Sequence, residues 1–282
     1  MIELDTGKYA LVLPLLDSIE INTLFARAVL EQTVTGRVFT DNADVPGAYY
    51  IVHPYGMSLV FGGTGNHGFT RGVSDYITDK NGTRQMAEWL QADPSGEWAD
   101  IIDDVVASHN SAAGLDAGLQ GQAGSRVIQQ DTRVNFALDQ SAFAAAKDKA
   151  GRPDTRIIRL NAEHFTALEQ GVVPRYFWRD AEHFTAEGAG FVLLEDGGIA
   201  AAAFSSCLYG NQLEIGIETM QDHRGKGYAF AVSLALIDYC LSQGLEPVWA
   251  CRLENTGSYR LAHKLGFRPV VTLPYYRLAY GA

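Results

Sequence analysis

Cysteine is scarce in this chain. Its 282 residues include three, Cys207, Cys240 and Cys251, an odd and sparse set that argues against a disulfide framework and for a reducing compartment. None has a Cys-x-x-Cys neighbour, which speaks against a cysteine-based zinc site. Basic residues are also few: 22 Lys and Arg stand against 33 Asp and Glu, a formal net charge of -11. That balance argues against a nucleic-acid or anionic-membrane surface as the main partner. Long apolar runs are missing as well. The longest, Ala229 to Leu241, contains Asp238 and falls short of the ~20 residues that cross a bilayer. The N-terminus opens Met1-Ile2-Glu3-Leu4-Asp5, acidic where a signal peptide is basic, and Pro14 breaks the apolar stretch Ala10 to Leu16. The chain reads as cytoplasmic, with no membrane and no nucleic acid among its partners.

What is present is ordinary globular composition, 47% apolar and 20% charged, in a length that suits two cores of roughly 130 to 150 residues each. In the first half, periodicity predicts a helix over Leu15 to Glu31, a strand at Arg37 to Thr40, and a hairpin of Ala48 to His53 and Met57 to Gly62 about Pro54-Tyr55-Gly56. Helices are expected around Thr83 to Gln91 and Glu97 to His109, and a loop or weak helix over Asn110 to Gly124. A strand follows at Arg133 to Leu138, then a helix from Gln140 to Lys149. Gly151-Arg152-Pro153-Asp154 is the expected linker, dividing residues 1–150, an α/β domain, from 151–282.

Beyond it the pattern is more regular. A strand at Arg156 to Leu160 leads to helices after Asn161 and after Trp178. Strands Gly190 to Leu194, Ile199 to Ser205 and Leu213 to Thr219 suggest an antiparallel meander. A long helix from Gly227 to Ser242 has Phe230, Leu234, Ile237 and Leu241 at helical spacing. A strand Pro247 to Arg252, a helix Thr256 to Leu265 and strands Phe267 to Val271 and Tyr275 to Tyr280 complete it. The fold class is α/β (α+β), with a mixed, mostly antiparallel sheet and flanking helices in the second half.

Two features are weighed against blander alternatives. Ala162-Glu163-His164-Phe165-Thr166-Ala167 recurs as Ala181-Glu182-His183-Phe184-Thr185-Ala186. Adjacent Glu and His point about 100° apart on a helix, so the echo reads as two short helices capped by Asn161 and Asp180, each with a core Phe, and no metal is expected. Gly63-Thr64-Gly65-Asn66-His67-Gly68 matches the G-x-G-x-x-G of a dinucleotide site. Phe69-Thr70-Arg71-Gly72 makes a poor helix start and no acid-ended second strand is evident, so it reads as a turn.

The strongest signal is the strand Leu213-Glu214-Ile215-Gly216-Ile217-Glu218-Thr219, then Met220 to His223, then Arg224-Gly225-Lys226-Gly227-Tyr228-Ala229 running into the long helix. Glycines let successive N–H groups converge, and the helix dipole adds positive potential at the same point. Together they suit a phosphate or pyrophosphate. The loop lacks the Gly-Lys-Ser/Thr ending of a nucleotide triphosphatase.

Arg224-x-x-Gly227-x-Ala229 resembles the acyl-CoA signature of the GNAT superfamily of N-acetyltransferases. Asn255-Thr256-Gly257-Ser258 through Leu261-Ala262-His263-Lys264-Leu265-Gly266-Phe267 resembles its second CoA-side motif. The resemblance covers about Arg156 to Tyr280. Ser205-Ser206-Cys207, Glu214 to Ile217, Trp249-Ala250-Cys251 and Leu261 to Phe267 look more narrowly like the branch containing the zwittermicin-A resistance acetyltransferases, whose extra N-terminal domain would account for residues 1–150. It implies a C-terminal GNAT fold and acetyl-CoA as cosubstrate, its pantetheine arm along the backbone of Ile217 and Thr219. Its pyrophosphate would lie on N–H groups from Gly225, Lys226, Gly227, Tyr228 and Ala229 beside Arg224, with Asn255 and Ser258 along the arm.

Acetyl transfer to an amine needs a base, oxyanion donors and a proton for the leaving thiolate. Strand alternation puts Glu214, Gly216 and Glu218 on one face. Glu218 is the preferred base and Glu214 the second. The position where many superfamily members carry a tyrosine acid is Ala262, and Tyr259 and His263 point elsewhere on the helix. The expected activity is acetyl transfer to a primary amine of a small molecule, with the first half contributing to the acceptor site. A homodimer is compatible with the sequence. The alternatives are a non-catalytic acyl-CoA sensor or partner-binding module, and a protein N-acetyltransferase.

Overall fold

A computed structural model describes residues 1–112, 127–152 and 154–280. The chain divides into two compact units, Met1–Arg133 with Thr272–Ala282, and Val134–Val271. Gly151 to Asp154, the expected linker, lies inside the second unit. The helix before it, Gln140–Ala150, buries Phe143 in that unit's core. The expected loop over Asn110 to Gly124 falls mostly outside the described residues.

The first unit holds strands β1 (Ile2–Glu3), β2 (Arg37–Thr40), β3 (Ala48–Val52), β4 (Met57–Gly62) and β5 (Glu88–Ala92). Its helices are α1 (Tyr9–Val12), α2 (Leu24–Leu30), α3 (His67–Ile77) and α4 (Trp98–Ala112). Strands β1 to β4 are consecutive antiparallel neighbours, and β5 returns parallel to β4 after the crossover helix α3. The hairpin appears where the turn signal put it. Two expectations fail here. The helix over Leu15 to Glu31 is a 3-10 stretch Leu13–Ser18 and the separate α2, divided by Ile19 to Thr23. The helix over Thr83 to Gln91 is instead largely strand β5, whose pairing with β4 overrides the helix propensity of Met86, Glu88 and Gln91.

The second unit holds β7 (Ile157–Arg159), β8 (Gly190–Glu195), β9 (Gly198–Tyr209), β10 (Gln212–Thr219) and β11 (Glu246–Arg252). Its helices are α5 (Gln140–Ala150), α6 (Ala162–Ala167), α7 (Ala181–Glu187), α8 (Tyr228–Ser242) and α9 (Thr256–Lys264). Strand β6 (Gln129–Leu138) enters this unit at Val134, and β12 (Phe267–Leu278) leaves it after Val271. The two terminal strands expected at Phe267 to Val271 and Tyr275 to Tyr280 are this one strand. Strands β7 to β10 are antiparallel, and β11 lies parallel to β10 after α8.

Each unit therefore runs through the same sequence of elements: four antiparallel strands, the last three of them a meander, then a helix, a strand parallel to the fourth, and another helix. In the second unit Leu213, Ile215, Val232, Leu236, Ile237, Trp249 and Phe267 belong to one buried core. Helix α8 is buried on more than the single expected stripe, since Val232, Ser233, Leu236 and Cys240 are buried beside Leu234 and Ile237.

Candidate active site

The site is built where β10 and β11 part. Their parallel pairing covers only Gln212, Leu213 and Glu214 against Glu246, Pro247 and Val248. Strand β10 then runs on to Thr219 paired with β9 alone. At the point of separation the β9 register steps from Cys207 opposite Glu214 to Ser205 opposite Ile215. The unpaired Ser206 is a β-bulge, which adds local twist, and its hydroxyl donates to the Glu214 carbonyl at 3.1 Å. The edge of Ile215 to Thr219 towards β11 is thus left without a neighbouring strand, and both expected positions, Ile217 and Thr219, lie on this stretch. At Thr219 both backbone groups already have partners: Arg224 Nε donates to its carbonyl at 3.2 Å, and its N–H donates to Glu218 Oε1 at 3.1 Å.

Beyond β10 the loop rises to α8. Gly227 is its N-cap at φ 84°, with no side-chain cap, a left-handed conformation that suits glycine. Backbone N–H groups of Gly225, Lys226, Gly227, Tyr228, Ala229 and Phe230 donate to no group among the described residues. They are a row of unfilled donors on an exposed loop at the positive end of a helix, with the charge of Lys226 among them. The equivalent point of the first unit differs. There the Asn66 side chain caps α3 by accepting from Gly68 and Phe69 N–H at 3.1 and 3.2 Å, and Gly63 N–H donates to the Gly47 carbonyl. So a helix does begin in the G-x-G-x-x-G segment and a parallel strand, β5, does follow it. The first correction comes from the Asn66 cap, which the poor helix propensity concealed, and the second from the pairing of β5 with β4; in that loop the N–H groups of Gly63, Gly68 and Phe69 are used internally.

Alternation along β10 is kept. A Cβ at Gly216 would lie 2.7 Å from the Phe204 ring, and one at Gly171 would lie 2.1 Å from Glu218 Oε2. Glu218 Oε2 accepts from Val172 N–H at 2.8 Å. Its Oε1 accepts from Thr219 N–H at 3.1 Å and from Arg224 Nη2 at 3.3 Å. The carboxylate is 16% exposed, whereas Glu214 is buried at 5%. Sequence reasoning missed the connection from α6 to α7 as a partner of Glu218; the left-handed Gly171 (φ 84°) is the one local signal of it.

On the β11 side, Asn255 Oδ1 caps α9 by accepting from Ser258 N–H at 3.2 Å, and the Ser258 hydroxyl accepts from Trp249 Nε1 at 3.3 Å. Ala262 is fully buried, and Tyr259 and His263 pack on Phe136 with ring centroids 5.6 and 6.0 Å away. All three cysteines are buried, and burial pushes the Cys240 thiol up to about 12. The repeated Ala-Glu-His-Phe-Thr-Ala segments are α6 and α7, capped by Asn161 and Asp180, with Phe165 and Phe184 in contact at 5.5 Å.

A splayed parallel strand pair joined by an uncapped glycine loop and helix, with a carboxylate on the open strand, is an arrangement of an α/β fold suited to a phosphorylated ligand. The chain belongs to the GNAT acetyltransferase family, whose sequence profile matches residues 14–276. It is 24% identical over 275 residues, 97% of each chain, to the uncharacterized N-acetyltransferase YdfB of Bacillus subtilis (strain 168). Its fold resembles a GCN5-related N-acetyltransferase-like protein from Streptococcus suis 89/1591, with TM-score 0.67, 20% identity and 97% and 99% of the two chains covered. It also resembles a tandem GNAT protein from the clavulanic acid biosynthesis pathway, with TM-score 0.57, 11% identity and 100% and 99% covered. The protein is thus an acetyltransferase, and acetyl-CoA is the cosubstrate of its family. Among the described residues no helix is long and apolar enough to cross a membrane.

Proposed function

We propose that this enzyme transfers the acetyl group of acetyl-CoA to a primary amine of a small molecule in the cytoplasm, by direct attack in a ternary complex. The observation that carries the reading is the row of unfilled N–H donors from Gly225 to Phe230 beside the open edge of β10. The donors suit the pyrophosphate, with Lys226 and Arg224 adding charge, and the open edge at Ile217 suits the amides of the pantetheine arm, with Thr219, its backbone held by Glu218 and Arg224, next along it. Asn255 and Ser258 border the same opening from α9. The likeness of Ser205-Ser206-Cys207 and Trp249-Ala250-Cys251 to the zwittermicin-A resistance branch favours a small amino compound over a protein N-terminus.

Glu218 is the base in this reading. An ionised carboxylate offers about four acceptor positions. Val172, Thr219 and Arg224 fill three and fix its direction, which leaves one for the ammonium proton of the acceptor or for a relaying water. Buried Glu214 serves as a second carboxylate on the same face. With Ala262 buried and Tyr259 and His263 held on Phe136, the leaving thiolate takes its proton from water.

Titration calorimetry with acetyl-CoA tests the binding half. Saturable binding is expected, with at least about a tenfold loss for Arg224→Glu combined with Gly227→Asp, which sets negative charge in the cradle. No binding, or unchanged affinity in that variant, defeats the assignment. Thiol release with an amine panel tests the chemistry. Glu218→Gln should lower kcat about 100-fold or more while leaving acetyl-CoA affinity intact. Thiol release absent with every amine would instead support a non-catalytic acyl-CoA sensor.

A further inference from the structure

The hairpin of β8 and β9 meets the glycine loop before α8 through one side chain that the reading above does not use. The hairpin turns at Asp196 and Gly197, with φ 52° and 80°, the left-handed pair of a tight two-residue turn. That turn fixes Glu195, the last residue of β8, opposite Gly198. Glu195 reaches the loop on both sides of its glycines. Ahead of them, His223 Nδ1 stands 3.5 Å from Glu195 Oε2. Behind them, the hydrogen bond of the Tyr228 hydroxyl is the main cause that holds the Glu195 carboxyl below its usual range, followed by the charges of Lys226, Arg156 and His223 and opposed by burial. Arg156 completes the cluster: its Nη1 lies 3.4 Å from Glu195 Oε1, Asp154 holds its Nη2 at 2.7 Å, and its guanidinium lies over the Tyr228 ring at 5.2 Å. His223 Nδ1 is also 3.3 Å from Lys226 Nζ.

The loop has little else to hold it. Its own backbone bonds run from His223 N–H to the Met220 carbonyl and from Arg224 N–H to Gln221, and Gly225 and Gly227, at φ 79° and 84°, are the residue type that loses most freedom on ordering. A row of N–H groups binds an anion well when it is ordered before the anion arrives, because the ordering cost is then not charged to binding. Arg224 ties the loop to the end of β10 through Thr219 and Glu218, and Glu195 ties it to the hairpin. We propose that Glu195 is a positioning residue for acetyl-CoA, clasping His223 and Tyr228 and so holding in place the N–H donors between them. This role rests on the acetyl-CoA reading of the cradle, and it carries a sign of its own. As a neighbouring negative charge alone, Glu195 would repel the cosubstrate and its removal would tighten binding. As a clasp, its removal weakens binding.

Two measurements on the full chain test it. Limited trypsin digestion of the free protein, read by mass spectrometry, follows cleavage after Arg224 and Lys226, and calorimetry gives the affinity for acetyl-CoA. Glu195→Ala should be cut at these sites at least about fivefold faster than wild type. It should bind acetyl-CoA at least about fivefold more weakly, a loss that persists at about 0.5 M salt, where exposed charges are screened. Glu195→Gln, which keeps an acceptor for the Tyr228 hydroxyl, should recover part of both effects. With a reactive amine the loss should fall on the KM for acetyl-CoA and not on kcat. Tyr228→Phe should also weaken binding, and combining it with Glu195→Ala should cost no more than the worse single change, since both break one contact. Unchanged cleavage in Glu195→Ala, unchanged or tighter acetyl-CoA binding, or a loss confined to kcat would each overturn the role of Glu195 while the cradle reading stands. Absence of acetyl-CoA binding by the wild-type chain would defeat the cradle reading itself, and this role with it.

Discussion

His53, fully buried just after β3, accepts a hydrogen bond from Tyr55 N–H through Nδ1 at 3.0 Å, and burial pulls its pKa from 6.5 down to about 3. The unfolded chain takes up this proton as the pH drops below 6.5, while the folded chain does not until about 3. The stability associated with His53 is therefore complete above 6.5 and is lost as the pH falls through that window, by up to about 1.4 kcal/mol per pH unit. Glu88 acts in the opposite sense. Burial raises its pKa above 4.5 against the lowering effect of the Tyr76 and Tyr50 hydrogen bonds. Its contribution is complete below 4.5 and is lost as the pH rises through the raised folded value. Urea unfolding across pH checks both signs. His53→Asn, which keeps an acceptor for Tyr55 N–H, should flatten the acid limb relative to wild type. Glu88→Gln should gain on wild type as the pH rises from about 5 to about 8. Parallel curves for wild type and both variants would contradict the assignment. Neither residue stood out in the sequence, because burial is set by the tertiary fold: Glu88 is fully buried and meets Tyr50, 38 positions away, and His53 is fully buried just past β3.

At the scale of elements, the end of β10 and the α6 to α7 connection are locked together by the fit of Gly171 against Glu218. Gly171→Ala would place a methyl 2.1 Å from Glu218 Oε2 in a residue at φ 84°. The expected cost is about 1 to 3 kcal/mol of stability, together with a kcat loss in the direction of Glu218→Gln, since the carboxylate must leave Val172 N–H. A variant with wild-type melting and turnover would show that the contact does not set the Glu218 position. The elements themselves were legible where their signals are local: the hairpin at Pro54-Tyr55-Gly56, α8 after its glycine loop, and α6, α7 and α9 behind Asn161, Asp180 and Asn255. They were misread where tertiary pairing overrides propensity. Strand β5 carries helix-forming residues but pairs with β4 and β12, and β12 continues through Pro274 as one strand. For the site, the glycine loop could be read as a motif. The parting of β10 from β11 and the bulge at Ser206 could not, because they arise from pairing registers that no single segment specifies.

Across the whole molecule, the two units repeat one order of elements although the sequence carries no matching repeat. The chain also closes its first unit with its last strand. Tyr276 pairs with Leu90 of β5, donates to Asp103 at 2.7 Å and, with Leu278, is fully buried in the core formed with Tyr50, Tyr76 and Trp98. Arg84, from the loop before β5, reaches the Ala279 carbonyl. Burying two such side chains contributes about 1.5 to 3 kcal/mol each, and the backbone pairing to β5 adds to that. The sum is comparable to the whole stability of a typical domain, about 5 to 15 kcal/mol. A fragment ending at Ala150, where the sequence suggested a boundary, therefore has the strands β1 to β5 but lacks the segment that completes their core. It should show no cooperative thermal transition by circular dichroism. Adding a peptide that spans Thr272 to Tyr280 should restore one, with amide protection returning first at Leu90 and its β5 neighbours. A fragment that melts cooperatively without the peptide would mean that the first unit does not need its returning strand, and the division after Arg133 and Val271 would have no energetic meaning.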